Sequence, residues 1–237
     1  AKATPIVVTV PTVAEREYNP DVALTGSDMT GGSVTGADGN SLAGTWSFTG
    51  TNIIPTVNNK GYQAVFTPND TNNYNTVNRT ITVKVTKAIP VIAENPTATA
   101  LTYGQKLSDS TLTGGKVTCK TADGTEVAGT FAWKNSSIQP TVADNGKTEY
   151  DVTFTPADTT NYQSAVTTIS ITVNKAAKAP NMPETAMTPA HSTKKVGNIT
   201  LPEGWSWQEA DRDTALADGV AVTANAIYTG TDKGNYE

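Results

Sequence analysis

The stretch FTPADTTNY, Phe154–Tyr162, is the main indication of the fold, because the sequence contains three versions of it. A near-identical copy, FTPNDTNNY, lies at Phe66–Tyr74, and an altered copy, YTGTDKGNY, lies at Tyr228–Tyr236. Every copy keeps an Asp, an Asn three residues later and a Tyr directly after that Asn, and we name this pattern the DxxNY motif. The motif is either a binding site or a structural corner that the chain repeats.

The sequence around the motif repeats in register with it. Lys2–Pro5 (KATP) matches Lys87–Pro90 (KAIP), and Ala43–Phe48 (AGTWSF) matches Ala128–Trp133 (AGTFAW). Internal repeats of this kind usually correspond to structural units. The sequence therefore predicts three successive modules, at 1–86, 87–174 and 175–237.

The third repeat, 175–237, is shorter than the first two. In the first two repeats a strand-like segment follows the DxxNY motif, TITVKV at Thr80–Val85 and TISITV at Thr168–Val173. No such segment follows the third copy. We therefore expect the third module to lack its last strand, and the chain to be a fragment of a longer protein.

Hydrophobic residues between the turn signals alternate with a period of two, which is typical of strands. Tyr150, Val152 and Phe154 fall on one face of a predicted strand, and the polar residues between them fall on the other. Only 105–112 favours a helical turn. The sequence predicts an all-β protein of tandem immunoglobulin-like β-sandwich modules, with a small β-grasp-like module as the alternative fold.

The composition of the DxxNY motif favours a structural corner over a metal site. In immunoglobulin-like sandwiches a Tyr at the start of a late strand bonds back to the backbone, and an Asp before it caps the turn. A calcium site needs about six to eight oxygen ligands, whereas each copy offers one carboxylate. We therefore predict no metal site and assign the corner to Asp70, Tyr74, Asp158, Tyr162, Asp232 and Tyr236.

Aromatic residues recur at matching positions of the repeats, and none is left over. Sugar-binding modules usually expose aromatic rings as a stacking platform. Rings that recur at alternate strand positions are more typical of a shared core, since their burial supplies much of the stability of a small module. The predicted core aromatics are Trp46, Phe48, Phe131, Trp133, Trp205 and Trp207.

The composition weighs against several classes of function. The chain has one Cys, Cys119, and one His, His191, which are too few for a Cys/His zinc site. The net charge is -5 without a basic stripe, so we expect no nucleic-acid partner. No apolar run is long enough to span a membrane, so we expect no membrane insertion by this stretch. We also predict no catalytic residue and no cofactor, because the notable features are duplicated whereas a catalytic site would occur once.

The motifs YGQKLSDSTLTGG, GTFAW, VTFTPADTTNY and ITVNKA resemble tandem immunoglobulin-like repeat domains, of the Big and MBG types, from cell-surface proteins of Gram-positive bacteria. The resemblance covers nearly the whole chain. It implies an extracellular location, wall-anchored or secreted, with the anchor outside this chain. The family has no catalytic motif that could be carried over, so we expect the protein not to be an enzyme.

These expectations favour a stalk or spacer, a monomeric string of modules whose partners are the neighbouring modules of the same chain. One alternative is an adhesin that binds a host glycan or protein through loops. Another is an accessory module of a carbohydrate-active enzyme. The loops that vary most between the repeats are 104–112, 134–147 and 186–200.

Overall fold

A computed structural model describes residues 1–122, 124–183 and 185–237. Within these residues every regular element is a β-strand or a single turn of 3₁₀ helix. The predicted all-β class is therefore confirmed, and one helical turn, Leu107–Asp109, lies inside the segment 105–112 where the sequence predicts one. The sheets are small and mostly antiparallel, which is consistent with the β-sandwich class.

The first repeat, which the structure describes throughout, forms nine short strands. They are β1 (Ile6–Thr9), β2 (Thr12–Val13), β3 (Arg16–Glu17), β4 (Met29–Thr30), β5 (Ser33–Thr35), β6 (Gly44–Phe48), β7 (Tyr62–Pro68), β8 (Val77–Ile81) and β9 (Val85–Thr86). Antiparallel pairs join β1 to β5 and β2 to β4, and β6, β7 and β8 form an antiparallel three-stranded sheet. Strand β3 pairs with β9 in parallel.

The second repeat has the same strand order in its described residues. Its strands are β10 (Pro90–Glu94), β11 (Thr97–Ala98), β12 (Leu101–Thr102), β13 (Leu112–Thr113), β14 (Lys116–Cys119), β15 (Gly129–Trp133), β16 (Glu149–Pro156), β17 (Ala165–Ser170) and β18 (Val173–Asn174). Strand β10 pairs with β14, β11 with β13, and β12 with β18, and the three-stranded sheet has the order β15-β16-β17. The repeated sequence therefore folds into a repeated set of strand pairs.

The third repeat has one antiparallel pair in the part that the structure describes. It joins β19 (Trp205–Trp207) to β20 (Ala226–Tyr228). Single turns of 3₁₀ helix complete the chain, at Gly26–Asp28, Leu107–Asp109, Val142–Asp144, Val196–Asn198 and Lys233–Asn235.

Contacts divide the chain into two compact units that do not coincide with the sequence repeats. The first unit consists of Ala1–Pro96, Gly114–Ala132 and Val152–Thr167. The second unit consists of Thr97–Thr113, Trp133–Asp151 and Thr168–Glu237. Residues of the second repeat thus occur in both units. The module boundaries after residues 86 and 174 stay a prediction from the sequence.

The first and second repeats build the same hydrophobic cluster, one in each unit. In the first unit its members are Leu24, Val83 and Val85, with Val13, Tyr18, Phe48, Ile53, Val57 and Tyr62 packed against them. In the second unit they are Leu101, Leu107, Tyr150, Ile171 and Val173, with Ala98, Tyr103, Trp133, Ile138 and Val142 packed against them. The first unit holds a further cluster, formed by Ala88, Val117, Cys119, Ala122, Val127, Phe154 and Tyr162.

The six aromatic residues assigned to the core from the sequence are all half-buried. Three of them make the same tilted ring contact with the strand that follows. The ring centroids lie 5.5 Å apart for Trp46 and Phe66, 5.1 Å for Phe131 and Phe154, and 5.5 Å for Trp205 and Tyr228. This pair is therefore a shared structural element of the three repeats.

Candidate functional site

The first copy of the DxxNY motif forms a tight turn that its Asp holds together. The Oδ1 atom of Asp70 accepts the backbone N–H of Asn73 at 3.1 Å, and Oδ2 accepts the Asn73 side-chain amide at 2.7 Å. The backbone N–H of Tyr74 donates to the Asp70 carbonyl at 3.1 Å. These bonds to the charged form, above all that from the Asn73 side chain, lower the pKa of Asp70.

The second copy has the same internal bonds and also bonds to the first repeat. Asp158 Oδ1 accepts the backbone N–H of Asn161 at 3.1 Å, and Oδ2 accepts its side-chain amide at 2.7 Å. The Oδ1 atom of Asn161 accepts the backbone N–H of Val57 at 2.9 Å. The Asn161 side chain thus donates to its own turn and accepts from the preceding repeat. It is 7% exposed.

The Tyr of the second copy also contacts the first repeat. Tyr162 is 7% exposed, and its ring meets that of Tyr18 edge to face, with centroids 5.2 Å apart and planes at 87°. Its backbone lies beside that of Ala88 in a parallel bridge. Burial, with smaller contributions from nearby Cys119, raises the pKa of Tyr162 well above the usual tyrosine value. The Tyr162 hydroxyl therefore stays protonated at physiological pH.

Polar contacts surround the ring pair. The Thr121 hydroxyl donates to the Tyr18 carbonyl at 2.7 Å, and the Asn19 side-chain amide donates to the Thr121 carbonyl. The Thr125 hydroxyl donates to a carboxylate oxygen of Asp21 at 2.7 Å. All these residues belong to the first compact unit. The first and second repeats are therefore joined there by a hydrophobic contact with hydrogen bonds around it.

The third copy makes the same contacts with the second repeat, inside the second compact unit. Asn235 is 8% exposed, and its Oδ1 atom accepts the backbone N–H of Val142 at 2.9 Å. The ring of Tyr236 meets that of Tyr103 edge to face, with centroids 5.4 Å apart and planes at 88°. Val142 and Tyr103 stand in the second repeat where Val57 and Tyr18 stand in the first. We call each such set of Asn, Val and two Tyr residues a repeat junction.

The Asp of the third copy differs from the other two in its partners. The Asp232 carboxylate accepts hydrogen bonds from three tyrosine hydroxyl groups. The oxygen–oxygen distances are 2.8 Å for Tyr228, 3.2 Å for Tyr236 and 3.5 Å for Tyr103. These bonds, led by that from Tyr228, lower the pKa of Asp232. Desolvation and the bond to Asp232 raise the pKa of Tyr236 to about 12. Three phenols thus replace the Asn amide as donors to this carboxylate.

The first copy shows which part of the motif serves the junction. Asn73 is exposed and Tyr74 is half-buried. In the residues that the structure describes, no backbone N–H bonds to the Asn73 side-chain oxygen. The Asp side chain holds the turn together in the first and second copies. The Asn and Tyr of the second and third copies contact the preceding repeat.

The sequence predicts the corner residues but not the residues that they contact. Val57, Val142, Tyr18 and Tyr103 complete the junctions, and the sequence singles out none of them as binding partners. Their only signal is that each pair recurs at matching positions of the first two repeats. Recurrence predicts a shared role, but it does not show which recurring residues touch.

Neither the single Cys nor the single His belongs to a metal-binding group within the described residues. Cys119 is buried, with Sγ 3.1 Å from the Thr121 hydroxyl oxygen. His191 lies at the surface with Nδ1 2.7 Å from a carboxylate oxygen of Asp218. Residues 1–122, 124–183 and 185–237 hold no group of three or more His, Cys, Asp and Glu placed to bind a metal ion. The same residues include no helix long and apolar enough to span a membrane.

Comparisons with protein families and with curated proteins do not identify relatives of this chain. No protein-family model matches the sequence, and no curated protein matches it significantly. The resemblance to immunoglobulin-like surface repeats therefore stays an expectation.

Proposed function

We propose that this chain is a non-catalytic structural repeat region, a stalk or spacer, of a bacterial cell-surface or secreted protein. One observation carries the proposal: the most strongly repeated motif of the sequence uses its Asn and Tyr to contact the preceding repeat. This occurs with the same partners at two successive junctions. A repeated motif whose Asn and Tyr contact the preceding repeat supports a role in connecting modules.

The bonding state of the motif argues against a ligand site. A side-chain amide has a donor and an acceptor end. In Asn161 the donor end is used by Asp158 and the acceptor end by Val57. In Asn235 the acceptor end is used by Val142, and the residue is buried. Groups that are buried and already bonded offer little to a glycan or a protein from outside.

The contacts of each junction also favour a connection that resists bending. An edge-to-face ring pair and a buried hydrogen bond constrain different directions of motion, and the chain itself links the repeats through short segments. Aromatic pairs of this kind contribute about 0.5–1.5 kcal/mol beyond the area that they bury. A stalk needs such connections, because a freely jointed chain would not hold its far end away from a surface.

The location and the partners follow from the same proposal. The resemblance supports an extracellular protein of a Gram-positive bacterium, wall-anchored or secreted. The partners are neighbouring modules of the same polypeptide, and the chain acts as a monomer.

A binding screen tests the proposal against an adhesin. The folded chain is applied to mucins, host matrix proteins and a glycan array, with a denatured sample as the control for non-specific adhesion. A stalk gives no reproducible binding. Reproducible binding that is abolished by substitutions in one of the loops 104–112, 134–147 or 186–200 would contradict the stalk and establish an adhesin.

A further inference from the structure

Near its start, each repeat has an alanine whose backbone bonds to the DxxNY motif of the same repeat. In the first repeat the N–H of Ala3 donates to the carbonyl of Asn73 at 2.7 Å. The N–H of Asn75 donates to the carbonyl of Ala3 at 2.8 Å, so that Ala3 and Tyr74 form a parallel bridge. The other two repeats have the same bridge, formed by Ala88 with Tyr162 and by Ala176 with Tyr236. We call it the N-terminal bridge of a repeat.

A second parallel pairing joins the end of the first repeat to an earlier segment, between strands β3 and β9. The N–H of Arg16 donates to the carbonyl of Lys84 at 3.1 Å. The N–H of Tyr18 donates to the carbonyl of Thr86 at 2.9 Å. The second repeat pairs β12 with β18 in the same way, through bonds of 2.9 Å and 2.8 Å. We call it the C-terminal pairing of a repeat.

The two pairings determine how the first repeat responds when its ends are pulled apart. Its first segment, 3–18, and its last segment, 74–86, run in the same direction and pair near both of their ends. Tension along the chain pulls the first segment by its upstream end and the last segment by its downstream end. The two segments must therefore slide past each other along their length. Sliding strains all the bonds across the pair together, whereas peeling breaks one bond after another.

Buried side chains protect these bonds from water. Val83 and Val85 of the last segment are buried and belong to the hydrophobic cluster of the first repeat. Ala88, in the N-terminal bridge of the second repeat, is also buried. A backbone bond that is open to water can be exchanged for a bond to water. A buried one must break before such a replacement can form, and its loss is therefore costly.

A single residue connects the pairings of successive repeats. Thr86 accepts a bond of the C-terminal pairing of the first repeat, and Ala88 forms the N-terminal bridge of the second. Only Lys87 lies between them. Lys175 takes the same place between the C-terminal pairing of the second repeat and the N-terminal bridge of the third. One residue spans at most about 3.6 Å, so tension passes from one pairing to the next without a slack linker.

We propose that the first two repeats bear tension along the chain, with the N-terminal bridge and the C-terminal pairing loaded in shear. This function goes beyond that of a spacer, because a spacer only sets a distance. A repeat that bears tension stays folded while its ends are pulled apart. The inference assumes neither a location nor a ligand for the protein, so its test is independent of the proposed function.

Single-molecule pulling on the intact chain tests the proposal by changing only the direction of the load. In the shear geometry, DNA handles are attached at Lys2→Cys and Lys87→Cys, two exposed positions on either side of the first repeat. In the peeling geometry they are attached at Lys2→Cys and Thr76→Cys, which flank the N-terminal bridge on the same side. The native Cys119 is buried and takes no handle. At equal tension the repeat should stay folded at least about tenfold longer in the shear geometry.

Two proline variants test the N-terminal bridge itself in the shear geometry. Asn75→Pro removes the N–H that donates to Ala3. Thr76→Pro is the matched control, because the Thr76 N–H makes no backbone bond in the part of the chain that the structure describes. At equal tension Asn75→Pro should unfold at least about fivefold faster than Thr76→Pro. Unfolding of the first repeat lengthens the chain between the handles by about 250 Å, which identifies the event.

The proposal is overturned if the first repeat unfolds equally fast in the two geometries. It is also overturned if folded Asn75→Pro and Thr76→Pro proteins unfold equally fast in the shear geometry. If Asn75→Pro does not fold, the comparison of the two geometries decides alone, because the cysteine substitutions at exposed positions leave the backbone bonds in place.

Discussion

The side-chain amide of Asn161 shows why a single residue type fits the junction. Its amide nitrogen donates to Asp158 and its oxygen accepts from Val57. An Asp at this position would place a carboxylate against the Asp158 carboxylate. An Ala would leave the Val57 N–H and the Oδ2 atom of Asp158 without these bonds. A buried N–H without an acceptor loses its bond to water and gains nothing in return. In both the second and the third copy, the Asn oxygen is needed as the acceptor for the valine N–H of the preceding repeat.

Substitution of Asn161 by Ala should destabilise the protein more than the same change at Asn73. Loss of the acceptor for the Val57 N–H is expected to lower the free energy of unfolding by about 1–3 kcal/mol. Asn73 has the same bonds to its Asp but is exposed, so Asn73→Ala should cost only about 0.5 kcal/mol. Urea denaturation of both variants measures the difference. Equal losses would show that the turn, and not the junction, needs the Asn.

The Asp232 carboxylate is expected to control the ionisation of the tyrosines around it. Asp232→Asn removes a negative charge beside Tyr236, so its pKa should fall from about 12 towards the ordinary value. In the wild type, the folded-state pKa of Tyr236 lies above the unfolded-state pKa of about 10. The contribution of Tyr236 to the free energy of unfolding is therefore complete below the unfolded-state pKa, and it is lost as the pH rises to the folded-state pKa. The lowered pKa of Asp232 acts at the other end of the scale, since its stabilisation is lost as the pH falls through the folded value.

NMR titration of the tyrosine ring signals measures this effect. Asp70→Asn is the control, because that carboxylate lies in the first copy of the motif and should leave the pKa of Tyr236 unchanged. A Tyr236 pKa that stays at its wild-type value in Asp232→Asn would contradict the assignment of the hydroxyl bond.

Among the elements, the paired strands β15 and β16 depend on a glycine. A Cβ atom added to Gly129 would lie 2.4 Å from Cζ of Phe154 and 2.4 Å from the carbonyl oxygen of Thr155. Gly44 of the first repeat has the same surroundings, with Phe66 and Thr67 in place of those two residues. The close approach of strand and ring therefore belongs to the repeated aromatic pair.

Gly129→Ala should lower the free energy of unfolding by about 1–3 kcal/mol, because the Phe154 ring and the Thr155 backbone must both move to make room for the added Cβ. Gly234→Ala is the matched control, since a Cβ there meets nothing within 4 Å and the backbone angle is an ordinary one. Thermal unfolding of the two variants compares them. A Gly129→Ala protein as stable as the control would show that the strands separate at little cost.

The strands were predictable from the sequence to different degrees. The alternation of hydrophobic residues at Tyr150, Val152 and Phe154 predicts which face of a strand is buried. In β16 these three residues are buried, as the alternation predicts. The parallel pairing of β3 with β9 was not predictable, because alternation is the same for parallel and antiparallel neighbours. The junction bond between Val57 and Asn161 was also beyond the sequence, since a backbone N–H carries no residue-specific signal. Repetition predicts which residues share a role, but tertiary packing determines which of them are in contact.

At the scale of the whole molecule, the compact units and the sequence repeats describe different properties. Repeats reflect the pattern of residues, whereas compact units reflect where the contacts are dense. Residues 1–86 share a unit with Asn161 and Tyr162 of the second repeat, and the junction contacts lie inside that unit. The second junction likewise lies inside the second unit. Contacts made by the DxxNY motif thus extend each unit past the predicted module boundary.

Amide hydrogen exchange at Val57 and Val142 tests the central claim, that the DxxNY motif joins successive repeats, most directly. Both amides should exchange more than about tenfold more slowly than exposed loop amides in the wild-type protein. Asn161→Ala should speed exchange at Val57 alone, and Asn235→Ala at Val142 alone. Fast exchange of both amides in the wild type would contradict the claim that the motif joins successive repeats. Slow exchange that persists after these substitutions would contradict it as well.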